Sequence, residues 1–269
     1  MYETSTNGQV LYIRHGTTEY NKALVANPQN KELLRINEDY LDCSLSVEGR
    51  KDAILLRKVL EEINIKYIFV SPLLRCLETT EIVLKGHKNV NDITVFVHPF
   101  ISEVISSCHD ISANIKQKKE TFNHKMNGVK FDWTFFDEMF NEIEDQETFF
   151  INLIDNPRKN RIEELIESFK NKPEKGMISK ILDHFWKDNI RPESISSLFN
   201  RCIAFKKMVK SFISENKLQN NEKILVITHS AVIRISSSKL AGEQDCLEIY
   251  PSDCYYPKNC EVLSIKIEE

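Results

Sequence analysis

Glycine is scarce in this chain, with 7 residues in 269, and only 2 tryptophans are present. So little glycine leaves no room for a flexible glycine-rich linker, and no internal repeat or low-complexity segment appears. Nearly all of the chain is therefore expected in helices, strands and polar turns. No apolar run approaches the length of a bilayer crossing, and Met1 to Gly8 is polar rather than leader-like. These absences predict no membrane partner and a cytoplasmic location. An excess of positive charge is missing too: 36 Lys and Arg stand against 40 Asp and Glu, for a formal net charge of -4. A nucleic acid partner would need a basic face, so none is expected. The 7 cysteines, at 43, 76, 108, 202, 246, 254 and 260, contain no C-x-x-C pair, which argues against a zinc site. Their odd number predicts reduced thiols.

What is present is an ordinary globular balance, 41% hydrophobic and 28% charged. The apolar run ending in "VLYIR" reads as a first strand at Val10 to Ile13. Ser46 is a plausible cap for a helix from Val47 to about Ile63, where Leu56, Val59, Leu60 and Ile63 recur at helical spacing. "YIFV" (Tyr67 to Val70) is a second strand, and Ser71-Pro72 behind it reads as a helix start, with the helix stopping at Gly86. "TVFVHPF" (Thr94 to Phe100) is a third strand and "KILVIT" (Lys223 to Thr228) a fourth, the latter apolar throughout as in a sheet covered on both faces. A helix from about Ala231 to Leu240 follows, and "EVLSIKI" (Glu261 to Ile267) alternates like a final edge strand. Strand-helix alternation predicts a three-layer α/β/α sandwich with a mostly parallel, mixed sheet.

Between about residues 110 and 216 the periodicity is helical and shows no strand. Asp110 reads as the cap of a helix through Phe122, with further helices over Asn160–Lys170, Met177–Trp186 and Glu193–Glu215. The whole chain, 1–269, is expected to be one domain carrying this segment as a large helical insertion. The acidic "DEMFNEIEDQE" (Asp137 to Glu147) reads as a solvated face, and Phe131, Trp133, Phe135 and Phe136 as the insertion's own core.

Parallel sheets expose their functional edge at the carboxyl ends of the strands. Arg14, His15 and Gly16 follow the first strand, Ser71 and then Arg75 the second, Ser102 and Glu103 the third, and His229 and Ser230 the fourth. Any one of these is ordinary. Together they place two arginines, two histidines and a carboxylate on one edge, where uncompensated charge costs several kcal/mol per ion as an order of magnitude. A phosphoryl group supplies the compensation, because each planar guanidinium grips it with paired donors. Gly16, lacking a Cβ, is expected to let the backbone approach that ligand.

"RHGTTEYN" resembles the R-H-G-x-[ST]-x-x-N signature of the histidine phosphatase superfamily, in its phosphoglycerate-mutase-like branch. "DCSLSVEGRKDA", "VSPLLRCLETTEIV", "FISEV" and "ILVITHSAVIR" resemble further blocks of that family, in its order, with Asp52 where Gln is usual and Thr80 where Ala is usual. The resemblance implies that His15 attacks phosphorus and forms a phosphohistidine, and that Arg14, Arg75 and His229 hold the phosphoryl oxygens. It implies that Glu103 is the general acid, and that Asn21, Thr18 and Ser230 belong to the substrate pocket. No metal and no cofactor are needed on this reading, since the arginines supply the positive charge. After Glu103 the chain reads "SEVISSCHDISANIKQ", without the Tyr-Gly loop of phosphoglycerate mutases. The sequence therefore favours a metal-independent phosphomonoesterase acting on a small phosphorylated metabolite. The alternatives are a mutase, or a catalytically weak module that binds a phosphorylated ligand or a phosphoprotein; the basic "KQKK" (Lys116 to Lys119) is a candidate anion contact but reads first as a solvated helix face.

Overall fold

The computed structural model describes residues 2–3, 9–123, 129–140, 153–154, 158–170, 176–240, 242 and 247–267. Seven strands form one sheet: β1 (Tyr2–Glu3), β2 (Val10–Arg14), β3 (Ile65–Val70), β4 (Thr94–Val97), β5 (Phe131–Asp132), β6 (Lys223–Thr228) and β7 (Val262–Ile265). Their spatial order is β1-β7-β2-β6-β3-β4-β5. The run β2, β6, β3, β4, β5 is parallel throughout, and β7 runs antiparallel to both β2 and β1. The helices are α1 (Glu19–Ala26), α2 (Lys31–Arg35), α3 (Val47–Leu60), α4 (Leu74–Leu84), α5 (Ile115–Asn123), α6 (Thr134–Phe140), α7 (Arg158–Lys170), α8 (Met177–Lys187), α9 (Ile195–Glu215) and α10 (Ser230–Ser237). None among the described residues is long and apolar enough to cross a membrane.

The central strands are apolar on both faces because both faces are covered. Leu11 and Ile13 of β2 join Ile68, Val70, Leu225 and Ile227 in a core shared with α3 and α4. Val10, Tyr12, Phe69 and Val226 point the other way, into a second core made with α9 and α10. Successive side chains of a strand alternate between faces, so one contiguous apolar run supplies both cores. The result is the three-layer α/β/α sandwich with a mixed, mostly parallel sheet.

Several boundaries differ from the sequence reading, each for a local reason. The helix after β3 begins at Leu74, not at Pro72: the Ser71 hydroxyl accepts from Leu73 N–H (3.3 Å) and meets His229 Nε2 (2.7 Å), ahead of the first helical turn. Its first turn is capped from a distance instead, with Leu74 N–H donating to Asp42 Oδ1 at 2.8 Å. Asp110 caps no long helix; residues 108–110 form a single 3-10 turn and the helix starts at Ile115. The segment read as strandless contributes β5 beside β4. Phe131, Trp133 and Phe136 pack into the sheet core rather than into a core of their own, and Phe135 meets Phe69 at a tilt and Phe96 edge to face on the other side of the sheet. β7 is not the edge, because the pair Tyr2–Glu3 lies outside it. The acidic stretch beyond Phe140 lies outside the described residues. The described cysteines (Cys43, Cys76, Cys108, Cys202, Cys254 and Cys260) are all free.

Candidate active site

Strand pairing carries the four chain segments to one edge. His15 N–H donates to Thr228 O (3.0 Å), Ser71 N–H to Ile227 O (3.1 Å) and His98 N–H to Val70 O (2.9 Å), so β2, β3, β4 and β6 end in register. Each chain then releases its charged residue on the same side.

His15 lies at the centre and is 2% exposed. Its Nδ1–H donates to the carbonyl of Gly16 at 2.7 Å, which leaves the Nε2 lone pair to accept from Arg75 Nε–H at 3.2 Å. Burial, reinforced by Arg75 and Arg14, holds this imidazole well below its ordinary titration range, so it is neutral. The His229 ring lies 5.1 Å away, centroid to centroid, and burial and Arg75 keep it neutral as well. Its Nε2 meets the Ser71 hydroxyl at 2.7 Å and the Cys76 thiol at 3.4 Å.

Arg75 is fully buried, an unusual state for a guanidinium. Nη1 donates to His109 O at 2.6 Å, while Nη2 lies 3.6 Å from Asp110 Oδ1 and makes no hydrogen bond among the described residues. Arg14 donates from Nη1 to Pro257 O at 2.9 Å. Glu103 accepts at Oε1 from Val104 N–H (2.9 Å) and at Oε2 from the Ser230 hydroxyl (3.3 Å). Burial raises its carboxyl above the usual carboxylate range, and the nearby Asp110 raises it further. Thr18 and Asn21 form the capping box of α1: Thr18 Oγ1 accepts from Asn21 N–H at 3.1 Å, and Asn21 Oδ1 accepts from Thr18 N–H at 3.2 Å. Gly16 serves a different close approach from the one expected. A Cβ there would lie 2.6 Å from the carbonyl oxygen of Gly49, so the glycine is required by the α3 backbone.

The structure adds residues that the sequence reading did not single out. Asp110 is buried and accepts from the backbone and hydroxyl groups of Ser106 and Ser107, at 2.9–3.1 Å. His109 stacks on Tyr20 at 4.5 Å and brings Nδ1 within 3.3 Å of Cys43 Sγ. Asn259 donates from Nδ2 to His15 O at 2.8 Å. Arg201, from α9, grips three carbonyls of the Glu103 segment: Phe100 (2.6 Å), Ser102 (2.6 Å) and Glu103 (3.0 Å). The "SSCHD" run carries a signal for Asp110, since Ser-Ser four and three residues before an Asp invites a local turn. Nothing in the sequence marks Asn259 or Arg201. Among the described residues no group of three or more His, Cys, Asp and Glu is arranged to hold a metal ion.

A buried neutral imidazole thus lies against the Arg75 guanidinium at the carboxyl edge of the parallel sheet. Residues 10–127 match the model of the histidine phosphatase superfamily (branch 1), and across that span the chain is similar to its members. The chain is similar to several solved structures. An ecdysone phosphate phosphatase from Bombix mori, in complex with tungstate, has a TM-score of 0.50 at 14% identity, over 94% of this chain and 86% of that one. A phosphoglycerate mutase from Bacillus anthracis str. Sterne gives 0.44 at 13% identity, over 97% and 93% of the two chains. A mycobacterial glucosyl-3-phosphoglycerate phosphatase gives 0.41 at 16%, over 85% and 78%. Comparison with curated proteins finds no match.

Proposed function

We propose that the chain is a metal-independent phosphomonoesterase working through a phosphohistidine at His15, on a small phosphorylated metabolite. The observation that carries this reading is the state of His15: buried and neutral, with its Nδ1–H fixed on Gly16 O and its Nε2 lone pair facing Arg75. An imidazole held in one tautomer by a backbone carbonyl is a prepared nucleophile.

In the first step Nε2 turns from Arg75 Nε–H to phosphorus, forming the N–P bond as the P–O bond to the leaving group breaks. Glu103, whose carboxyl burial raises above the ordinary carboxylate range, gives its proton to the departing oxygen. In the second step water attacks phosphorus, Glu103 takes the water proton, and the N–P bond breaks to release phosphate and restore His15. Arg14, Arg75 and His229 stabilise the charge on the non-bridging oxygens in both steps. Ser230 holds the Glu103 carboxyl, and Asn21 would present its amide nitrogen to the phosphoryl group from the first turn of α1, which Thr18 caps.

The test is hydrolysis of p-nitrophenyl phosphate and of phosphorylated metabolites, with acid-labile, base-stable phosphate trapped on the protein in a rapid quench. Label on the wild type, none on His15→Ala, and loss of hydrolysis in that variant are expected. Turnover without a trapped phosphohistidine, or an undiminished His15→Ala enzyme, defeats the proposal. Isomerised product exceeding released phosphate identifies a mutase instead.

A further inference from the structure

From Arg14 a ladder of alternating guanidinium and phenol groups runs on past Glu103, and beyond Arg14 the mechanism above does not use it. Arg14 lies over the Tyr256 ring at 5.5 Å, and Arg234 approaches the same ring at 5.4 Å. Arg234 also stacks on Tyr250 at 3.6 Å, and Arg191 faces Tyr250 at 5.8 Å. Arg234 is one helical turn beyond Ser230, whose hydroxyl touches Glu103, so both lie on the same face of α10. The ladder therefore leads outward from the phosphoryl site on the side where the leaving group departs.

Its far end opens on a cavity of 990 Å³, lined by Arg158, Arg161, Phe185, Trp186 and Arg191 among others. That is ample room for the organic part of a small ligand. Trp186 Nε1–H donates to Ser106 O at 3.0 Å, which ties the cavity wall to the segment just after Glu103.

The charges around this path are unequally matched. Arg158 pairs with Glu248 (2.8 Å), Arg161 with Asp188, and Glu193 is taken by Arg201 (2.8 Å). Arg191, Arg234 and Arg14 form no ion pair with a described residue, and the Nε of each is buried without a hydrogen-bond partner among the described residues. A guanidinium stacked on a phenol through its buried Nε side is held in place, and its Nη groups remain as the donors that face outward. Two such groups, Arg234 and Arg191, lie against the one Tyr250 ring.

We propose that Arg234 and Arg191, braced by Tyr250, bind a second anionic group, a phosphate or a carboxylate, on the leaving-group side of the substrate. The substrate is then a dianionic-plus-anionic molecule rather than a simple monoester; this rests on the phosphatase reading above.

The test compares kcat/KM for α,ω-alkanediol bisphosphates of increasing chain length with that for the matching alkyl phosphates, at low ionic strength. The ω-phosphoalkanoates form a third series that separates phosphate from carboxylate. At the chain length that spans the two sites the wild type should prefer the doubly anionic compound by about 10- to 100-fold, the worth of one or two charged hydrogen bonds. In Arg234→Gln and in Arg191→Gln that ratio should fall towards one. Calorimetric titration of His15→Ala protein with the same pairs reads the preference without turnover, and so survives a failure of the hydrolytic reading. A ratio near one at every length in the wild type and in His15→Ala, or a preference that persists in both arginine variants, overturns the proposal. Should the arginine variants not fold, the wild-type and His15→Ala ratios decide it alone.

Discussion

Arg201 and Glu193 form a buried ion pair, with Nε 2.8 Å from Oε1 and Nη2 3.2 Å from Oε2, directly behind the segment that carries Glu103. The remaining donors of Arg201 hold the carbonyls of Phe100, Ser102 and Glu103, and Glu193 Oε2 accepts from Ile105 N–H at 2.8 Å. The pair thus fixes the backbone on both sides of the acid without touching the reacting atoms.

Arg201 is accordingly a positioning residue. Arg201→Ala strands the Glu193 carboxylate and should cost about 3–5 kcal/mol in chemical denaturation. Arg201→Met with Glu193→Leu removes both charges and should recover most of that stability, while the Glu103 segment remains unheld. Its hydrolysis of alkyl phosphates should stay at least about 100-fold low while aryl phosphates, which need little protonation, are spared. Equal losses on both ester types in the double variant would leave the pair a structural element only.

The pH profile follows from two opposite displacements. His15 is pushed down and stays neutral well into acid, whereas Glu103 is pushed up and stays protonated above the ordinary carboxylate range. On alkyl phosphates kcat/KM should fall on the alkaline side as Glu103 loses its proton, and Glu103→Gln should lower it about 10²- to 10⁴-fold. Aryl esters should show neither effect. Asp110 helps to raise Glu103, so Asp110→Asn removes a negative neighbour and should move the alkaline limb to lower pH. A limb that stays in place in Asp110→Asn refutes the coupling.

Much of this site was legible because a parallel sheet turns order along the chain into position in space. Arg14, His15, Arg75, Glu103 and His229 each follow an apolar strand, and the shared strand ends bring them together. What the sequence hid is contact between segments that no periodicity links. Asn259 reaches His15 across 244 positions, Arg201 reaches Glu103 across 98, and Arg75 meets His109 across 34. Asp110 was misread because an Asp before a helical pattern is the ordinary signal of a cap, and here the neighbouring Ser106 and Ser107 take its oxygens. Ser71 differs for a related reason: a hydroxyl before Pro suits a helix start, and here it is shared between Leu73 N–H and His229, ahead of a helix that begins at Leu74.

Gly16, in the loop after β2, and Gly49, in the first turn of α3, are both required by packing. A Cβ on Gly49 would lie 2.7 Å from Thr17 N and collide with the Thr17 carbonyl oxygen, both rigid backbone atoms. Gly49→Ala should therefore cost about 1–3 kcal/mol and displace the loop behind His15, with a fall in activity that exceeds the fall in folded fraction. Gly86→Ala is the contrast. That residue has φ +78 and nothing within 4 Å of a new Cβ, so its cost of about 1 kcal/mol should come from backbone strain and leave kcat unchanged in the folded protein. Similar effects of both substitutions on kcat would contradict the packing argument.

His98 gives the acid stability of the fold a measurable component away from the phosphoryl site. It is fully buried among Phe69, Phe100, Phe135 and Phe205, and burial alone takes its imidazole down to about 3. Nδ1 accepts from Phe100 N–H at 3.2 Å, so the proton sits on Nε2, which has no partner among the described residues. Between about 3 and the ordinary value of 6.5 the unfolded chain carries a proton on this residue and the folded chain does not. Stability must therefore fall as pH drops through that window, by about 1.4 kcal/mol per pH unit for this group. His15, His109 and His229 act in the same direction, while Glu103 and Asp110, raised by burial, act in the opposite one. The difference between wild type and His98→Phe isolates the one histidine. The variant should lose about 1 kcal/mol at neutral pH, where Phe100 N–H goes unpaired, and gain on the wild type steadily as acid is added. Denaturant melts from pH 7 to pH 4 measure both curves; parallel curves would mean that His98 takes up its proton in the folded state.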